Sequence, residues 1–577
     1  MFELVDMRKA KVKNYVTGRW VLIVKRDKDG KFEKCKARWV LRGFQDRQKY
    51  DQQTDSPTAS RPGFRLLCQM AANKGYDLYH IDLKTAFLQG ESYDATRDVM
   101  CQLPPEAGLA PHIGARMKKP AYGLNDAPRR WWNIVDKSLL RYGMLPTRAD
   151  RCCYVLHSET AGAAKVSRAA RAAIGPSNHD IAGTLDSAVE YLLDPVTGSP
   201  SVGRDVCGAL VLHVDDLFLA GNPEFHRRVV SSIRKDFQVG SEDKNDIMFV
   251  GQRVKWLQPQ GQSRWAIQVD QVKCIEELGE IVFDKTLKDD VACNPSLHRE
   301  YRSVLGQLNW LHSRTQYHIA YKFSRCASAA ASPTIGDIRA LNKLVRQQRA
   351  EPVTLVFWPL KGACRIIGFP DASYRNNTDK SSQCGQAIFI AEQRTTTHNT
   401  RGSLVEFESK KIKRTTLSTT VSELYAFMRT FGTCQFLRGL WADLTGESAE
   451  IHMRTDANNL VTTAKTTHLP EQKETIHMIQ MLRQESCSGA IADLAHVRTQ
   501  YCLADCLTKH SAKHDVLCKV VNTGELLEVD THPPFRSLMP HKAYLASWVC
   551  TNMDDTSTAH AFLGVPISRE VQSIWRC

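Results

Sequence analysis

Apolar and polar residues alternate through Arg19-Trp20-Val21-Leu22-Ile23-Val24-Lys25 and again through Lys36-Ala37-Arg38-Trp39-Val40-Leu41-Arg42, with Asp29-Gly30 between them. Period-two alternation on both sides of an Asp-Gly pair predicts a β-hairpin, here one carrying basic side chains. A helical run follows from Phe64 to Asn73, then a strand through Leu78-Tyr79-His80-Ile81-Asp82 and an amphipathic helix from Pro128 to Tyr142. The most apolar segment, Val206 to Val214, meets Asp215-Asp216 and resumes as Leu217-Phe218-Leu219-Ala220. Its length and β-branched content predict a buried hairpin with two acids at the turn.

Between these elements, residues 157–205 are rich in Ala, Ser, Gly and Pro and lack a sustained period, apart from a short helix near Ala188-Leu193. They read as an inserted, partly disordered surface loop. From Ser303 to Arg349 the pattern is helical, and in the last helix Ile338, Leu341 and Val345 share one face while Arg339, Lys343 and Arg346 share another. That basic face is either solvated or laid along a nucleic-acid backbone. A new domain is expected near Pro359, with strands at 364–371, 384–391, 403–408 and 449–456, a helix from about Ser418 and further helices, the mixture of an α/β layer structure.

At 577 residues the chain is long enough for several cores, and three or four domains are expected. The formal net charge is +15, and residues 1–50 alone hold 15 Lys/Arg against 6 Asp/Glu. A polyanionic partner is the natural inference, with a merely soluble basic surface as the alternative. No stretch of the ~20 apolar residues that cross a bilayer occurs, and the first residues lack the order of a signal peptide, so an intracellular protein without a membrane partner is expected. The 18 cysteines are scattered and form no C-x-x-C pair, the usage of reduced core thiols. Cys502, Cys506, His510 and His514 recur every four residues, a spacing that sets neighbours on one helix face. Four ligands from one straight helix cannot surround a tetrahedral zinc, so no metal site is expected there.

Three acids stand where solvated surface acids should not: Asp82 at the end of an apolar strand, and Asp215 and Asp216 inside the most hydrophobic run. Burying ionised carboxylates is costly without cations, and closely placed carboxylates suit Mg²⁺ together with substrate phosphates. Two such ions activate an attacking hydroxyl and stabilise a leaving oxygen. The plain alternatives are turn residues in a hairpin and, for Asp82, a cap on the following helix.

Four segments surrounding these acids closely resemble the reverse transcriptase of copia-type retrotransposons, in the family's order: Lys36-Ala37-Arg38-Trp39-Val40-Leu41-Arg42-Gly43-Phe44, Asp82-Leu83-Lys84-Thr85-Ala86-Phe87-Leu88-Gln89-Gly90, Ala121-Tyr122-Gly123-Leu124-Asn125-Asp126-Ala127-Pro128-Arg129 and His213-Val214-Asp215-Asp216. The resemblance covers roughly residues 19–350. It implies a right-hand polymerase of fingers, palm and thumb in which Asp82, Asp215 and Asp216 hold two metal ions. It further implies that Lys36 and Arg38 contact the incoming triphosphate, that Phe87 is the bulky gate against a ribose 2′-hydroxyl, and that Tyr122 and Gly123 form the loop beside the nucleotide; plain core roles are the alternative for Phe87 and Tyr122. His213 stands where an aromatic residue is usual, and Asn125-Asp126 where Lys-Gln is more usual.

A second set of acids comprises Asp371 after an apolar strand, Glu423 in the first turns of a helix, Asp456 at a strand end and Asp505 in Leu503-Ala504-Asp505-Cys506-Leu507-Thr508-Lys509. Individually they read as turn residues or, for Thr420-x-x-Glu423, as a capping box. Together, with Thr416-Leu417-Ser418-Thr419-Thr420-Val421-Ser422-Glu423, they resemble the copia-type RNase H over about 364–512, which implies two-metal attack of water on an RNA phosphodiester. The run Lys410-Lys411-Ile412-Lys413-Arg414 either touches the hybrid backbone, faces solvent or serves as a localisation signal.

The expected fold is thus an α+β and α/β multidomain chain, a right-hand polymerase followed by an RNase H-like mixed-sheet domain. Residues 1–260 would form fingers and palm, 261–358 a helical thumb or connection, 359–512 the RNase H-like domain and 513–577 an extension of unassigned role. The resemblance implies Mg²⁺, two per active site, with Mn²⁺ as a substitute. Implied partners are an RNA template, a DNA primer, RNA–DNA hybrid, dNTPs and other parts of the same polyprotein, in a cytoplasmic virus-like particle or the nucleus. No zinc-knuckle spacing, aspartic-protease triplet or integrase pattern is visible, which reads as the C-terminal product or a fragment of a longer polyprotein. The competing reading is a decayed or host-adopted element that binds nucleic acid without catalysis; retention of all seven acids favours the enzyme, while the insertion and His213 favour decay.

Overall fold

The computed structural model describes residues 1–26, 32–158, 205–258, 265–393, 399–466 and 473–527. The Asp29-Gly30 turn, nearly all of the 157–205 insertion with its expected helix, and most of the 513–577 extension lie outside the described residues.

The apolar run around Asp215-Asp216 forms the centre of a six-stranded antiparallel sheet in the order Val239–Lys244, Asp77–Leu83, Asp216–Gly221, Val206–His213, Cys153–His157, Leu145–Pro146. Both faces of this sheet are covered, which is why its central strands read as continuous hydrophobic runs. Leu78, Ala209, Val211, Phe218 and Ala220 pack towards the helix Arg61–Lys74. The intervening Ile81, Leu210, Leu217 and Leu219 pack with Trp131, Val135 and Leu139 of the helix Ala127–Arg141. The first helix begins where Ser60 accepts from the Gly63 amide and stops where Gly75 turns left-handed at φ 67°.

The expected basic hairpin is present as Gly18–Arg26 paired with Phe32–Leu41. Beside it lies a four-stranded sheet, Phe2–Asp6, Ile113–Met117, Met100–Cys101 and Tyr15–Val16, whose short strands left no sustained alternation to read.

Helices Pro295–Arg314, Ala320–Ser328 and Ile335–Ala350 account for the helical pattern, the last opened by a capping box between Thr334 and Asp337. The 261–358 region is not wholly helical, however. Ala266–Asp270 and Leu355–Phe357 pair with each other and complete a sheet with Asp246–Phe249 and Gln252–Leu257. Strands of three and five residues take their conformation from these partners, a long-range cause that local pattern does not record.

The last sheet runs Asp493–His496, Glu450–Thr455, Cys364–Ser373, Gln383–Glu392, Asn399–Lys411, Glu525–Leu527. It is mixed as expected: Glu450–Thr455 lies parallel to both its neighbours and the remaining pairs are antiparallel. The 27-residue helix Thr419–Thr445 packs on it. This unit and the first six-stranded sheet share one continuous core, in which Phe64, Ala209 and Phe218 belong to the same cluster as Phe389, Leu437 and Trp441. Among the described residues, no helix is long and apolar enough to cross a membrane.

Candidate active sites

Strand register sets two members of the first acid set side by side. Asp82 lies opposite Asp216 on adjacent antiparallel strands, so the two side chains leave the same face of the sheet. Asp82 is inside its strand and caps no helix; the following 3₁₀ turn starts from Thr85. Asp215 occupies the turn between the strands, after Val214 at φ 60°. A β-branched residue in the left-handed region is strained and must be held there. The Trp131 indole donates to the Val214 carbonyl at 2.7 Å, and the Leu83 amide donates to the Asp215 carbonyl at 3.0 Å. Gly240 of the edge strand passes so close that a Cβ there would fall 2.3 Å from Asp82 Oδ2.

All three carboxylates are half-buried. Burial, followed by the charges of Asp216 and Asp82, raises the Asp215 carboxyl above its ordinary value. Asp216 is turned towards His80, whose Nε2 lies 3.1 Å from its Oδ1, and His80 Nδ1 lies 3.6 Å from Asp243 Oδ2. Neither His80 nor Asp243 was singled out in the sequence; His80 stands two residues before Asp82, on the same strand face.

Phe87, Arg38 and the hairpin assemble around Tyr122. Phe87 meets it edge-on with ring centroids 5.3 Å apart, and the Arg38 guanidinium lies 5.1 Å from its ring centre. Lys36 precedes Arg38 by two positions and shares its face of the hairpin. The hairpin is fastened to this loop by Leu41 N–H to Tyr122 O at 2.8 Å and Gly43 N–H to Gly123 O at 3.1 Å. Gly123, at φ 95°, allows the approach, since a Cβ would meet the Leu41 carbonyl at 2.0 Å. Of the unusual residues, Asp126 has a structural role: buried, it pairs with Arg97 at 3.2 Å, and Arg97 also pairs with buried Asp46. Burial, then the charge of Arg314, lowers the His213 imidazole.

In the second set, Asp371 is fully buried on the strand Cys364–Ser373, Glu423 is buried in the first turns of the long helix, and Asp456 follows the parallel strand Glu450–Thr455. Asp371 accepts from the Thr508 hydroxyl, and Lys509 Nζ lies 3.4 Å from it while pairing closely with Asp505. Asp505 therefore approaches the other acids through an intervening ammonium. Burial lifts both Asp371 and Glu423 above the usual carboxylate range, and neighbouring acids push in the same direction. Burial acts to lower the Lys509 ammonium, but the charges of Asp371 and Asp505 outweigh it and hold it above the ordinary lysine value. The helix is capped by Ser418, which accepts from the Val421 amide, so Thr420 and Glu423 do not form a capping box.

The four-residue Cys/His spacing does not form a helix. Cys502 closes the 3₁₀ turn Thr499–Tyr501, Cys506 lies in Asp505–Leu507, His510 is exposed and His514 precedes the helix Asp515–Thr523. Repeated loop turns defeat a helical periodicity, and Cys502 alone of the four reaches the acids. Its ligand atom and those of Asp371 and Asp456 lie within 4.8 Å of one another, the only such set of three among the described residues.

The basic residues are partly engaged within the chain. Arg339 pairs with Asp289 and Arg346 with Glu280, and both Lys343 and Arg346 are exposed. Lys410 pairs with Glu408 and Lys411 with Asp379, while Lys413 and Arg414 are exposed.

Residues 1–164 match the family described as Reverse transcriptase (RNA-dependent DNA polymerase). The Retrovirus-related Pol polyprotein from transposon RE1 of Arabidopsis thaliana is 23% identical over 515 residues, covering 85% of this chain and 30% of that polyprotein. That from transposon TNT 1-94 of Nicotiana tabacum is 30% identical over 156 residues, 26% of this chain and 11% of the relative. The chain therefore spans about a third of the length of the RE1 polyprotein. A foamy viral protease-reverse transcriptase in complex with RNA/DNA hybrid aligns with a TM-score of 0.45 and 12% identity, over 93% of this chain and 54% of that one. By its family match and its relatives, the chain is related along most of its length to the Pol polyproteins of copia-type retrotransposons, with the reverse transcriptase match in its first 164 residues.

Proposed function

We propose that the chain is an RNA- and DNA-directed DNA polymerase with a second, separate centre that cleaves RNA in RNA–DNA hybrids. The observation that carries the reading is the register that sets Asp82 opposite Asp216 with Asp215 at the adjoining turn. The facing carboxylates of Asp82 and Asp216 and a buried Glu423 Oε2 without a hydrogen-bond partner are both what divalent-cation ligands present. Magnesium, bound at each centre, would favour ionisation of the attacking oxygen and stabilise charge on the phosphate. Asp82, Asp215 and Asp216 would hold it at the first centre, and Asp371, Glu423 and Asp456 at the second.

The chain's own groups then orient the substrates. Arg38, poised over Tyr122, and Lys36 on the same face offer cationic contacts for a nucleoside triphosphate. Phe87, edge-on to Tyr122, forms a wall where a ribose 2′-hydroxyl would project. At the second centre Lys509 holds Asp371 and Asp505 in a fixed relation. Partners on this reading are an RNA or DNA template, a DNA primer and dNTPs. Primer extension on an RNA template with Mg²⁺ tests it: synthesis by the unmutated chain supports the polymerase, and salt-dependent template binding without synthesis favours a non-catalytic binder.

A further inference from the structure

Cys502 stands out among the groups that the proposed chemistry does not use. It belongs to no disulfide, it is 5% exposed, and its thiol donates to the carbonyl of Pro370, the residue before Asp371, at 3.5 Å. Its sulfur and one carboxylate oxygen each from Asp371 and Asp456 lie within 4.8 Å of one another. A second observation points into the same space: Glu423, 7% exposed, has a buried Oε2 without a hydrogen-bond partner and is close enough to feel the charges of both Asp371 and Asp456. A buried acceptor lacking a donor calls for a cation, a water or a proton.

We propose that Cys502, Asp371 and Asp456, beside the unpartnered Glu423 carboxylate, form a site for a thiophilic divalent cation of the zinc and cadmium class, distinct in chemistry from the oxygen-only magnesium set. The inference rests on the reading of this cluster as a divalent-cation site. Magnesium takes oxygen ligands in near-octahedral geometry and gains little from sulfur, whereas zinc binds thiolate and carboxylate together in a tetrahedron. Zinc–ligand bonds of about 2.0–2.3 Å bring ligand atoms to roughly 3–4 Å from one another, so closing the set needs side-chain movements on the order of 1 Å. On binding, the Cys502 S–H bond breaks, a sulfur–cation bond forms and the proton passes to water. Asp456 is half-exposed and Asp371 fully buried. A soft cation held by Cys502, Asp371 and Asp456 would occupy two of the acids assigned to magnesium, so it is expected to displace the catalytic pair rather than replace it.

Cadmium binding to the full chain tests this, read by the ultraviolet thiolate-to-cadmium charge-transfer band and by competition with a chromophoric zinc indicator. The unmutated protein is compared with Cys502→Ser and, because a buried cysteine change can disturb folding, with Asp456→Asn and a melting curve for each. The expected result is a band component lost in Cys502→Ser, and affinity at least roughly tenfold weaker in both folded variants. An unchanged band in Cys502→Ser, or unchanged affinity in Asp456→Asn, overturns the proposal. The cadmium result stands whether or not the chain cleaves hybrid in Mg²⁺, so failure of the nuclease reading and failure of this site are told apart.

Discussion

Arg65 of the helix Arg61–Lys74 and Glu406 of the strand Asn399–Lys411, 341 positions apart, form an ion pair at 3.2 Å with both side chains almost wholly removed from water. The guanidinium also donates to the carbonyls of Val405, Ser313 and Arg314, so its burial is matched by acceptors from two parts of the chain. A second link, Arg148 to Asp443 at 2.6 Å, joins the same two units on another side. The helix that covers the first six-stranded sheet is thereby part of the foundation of the last one.

Removal of one partner of a buried pair leaves an uncompensated charge, at a cost of about 3–5 kcal/mol. Glu406→Ala is expected to lower the stability of both units together. Denaturant unfolding followed by two probes, one in each unit, should give coincident transitions that shift equally. Separate transitions, with only the C-terminal unit affected, would contradict the shared core.

The two acid sets, by contrast, are carried by separate sheets and the elements beside them. Asp215→Asn is expected to abolish primer extension and spare hybrid cleavage, with melting unchanged or raised because burial already disfavours the Asp215 charge. Asp456→Asn should do the reverse. Loss of polymerisation in Asp456→Asn, with normal melting and template binding, would place a nuclease acid in the polymerase centre.

Phe87 is only partly buried, at the edge of two apolar clusters. Phe87→Ala should therefore cost less than the roughly 3–5 kcal/mol of a fully buried phenylalanine, while admitting ribonucleotides more readily. Steady-state incorporation of dGTP against GTP, beside thermal melting, checks both. A large loss of stability with unaltered sugar selection would return Phe87 to a packing role.

His318 is 4% exposed, and neither ring nitrogen has a hydrogen-bond partner. Burial, then the neighbouring His514 and Lys322, pushes its imidazole down to about 3 from 6.5. A depressed folded value means that the unfolded chain takes up the proton first. The contribution to stability is thus present above 6.5 and is lost as pH falls towards 3. His318→Phe should flatten the fall in melting temperature over that interval, and an unchanged acid limb would assign the loss to other groups.

Much of the site was legible in sequence because local chemistry dictates it. The Val206–Ala220 run reads as a buried strand pair with two acids at its turn, and the structure puts Asp215 in the turn but Asp216 at the start of the second strand, opposite Asp82. The long helix, expected from about Ser418, begins where Ser418 caps it, and the strands beside it lie close to the expected bounds. The short strand Leu355–Phe357 was not legible, because its pairing partner Ala266–Asp270 is distant in sequence.

By itself, the sequence determined which carboxylates could cluster and the order of the elements that carry them, through hydrophobic period and turn chemistry. Only the tertiary structure decided that Asp216 meets His80, that Lys509 stands between Asp371 and Asp505, and that Cys502 joins the acids while its three periodic companions do not. The reason is physical. Periodicity records which face of an element is buried, whereas ion pairs and ligand sets depend on register between segments brought together by a common core.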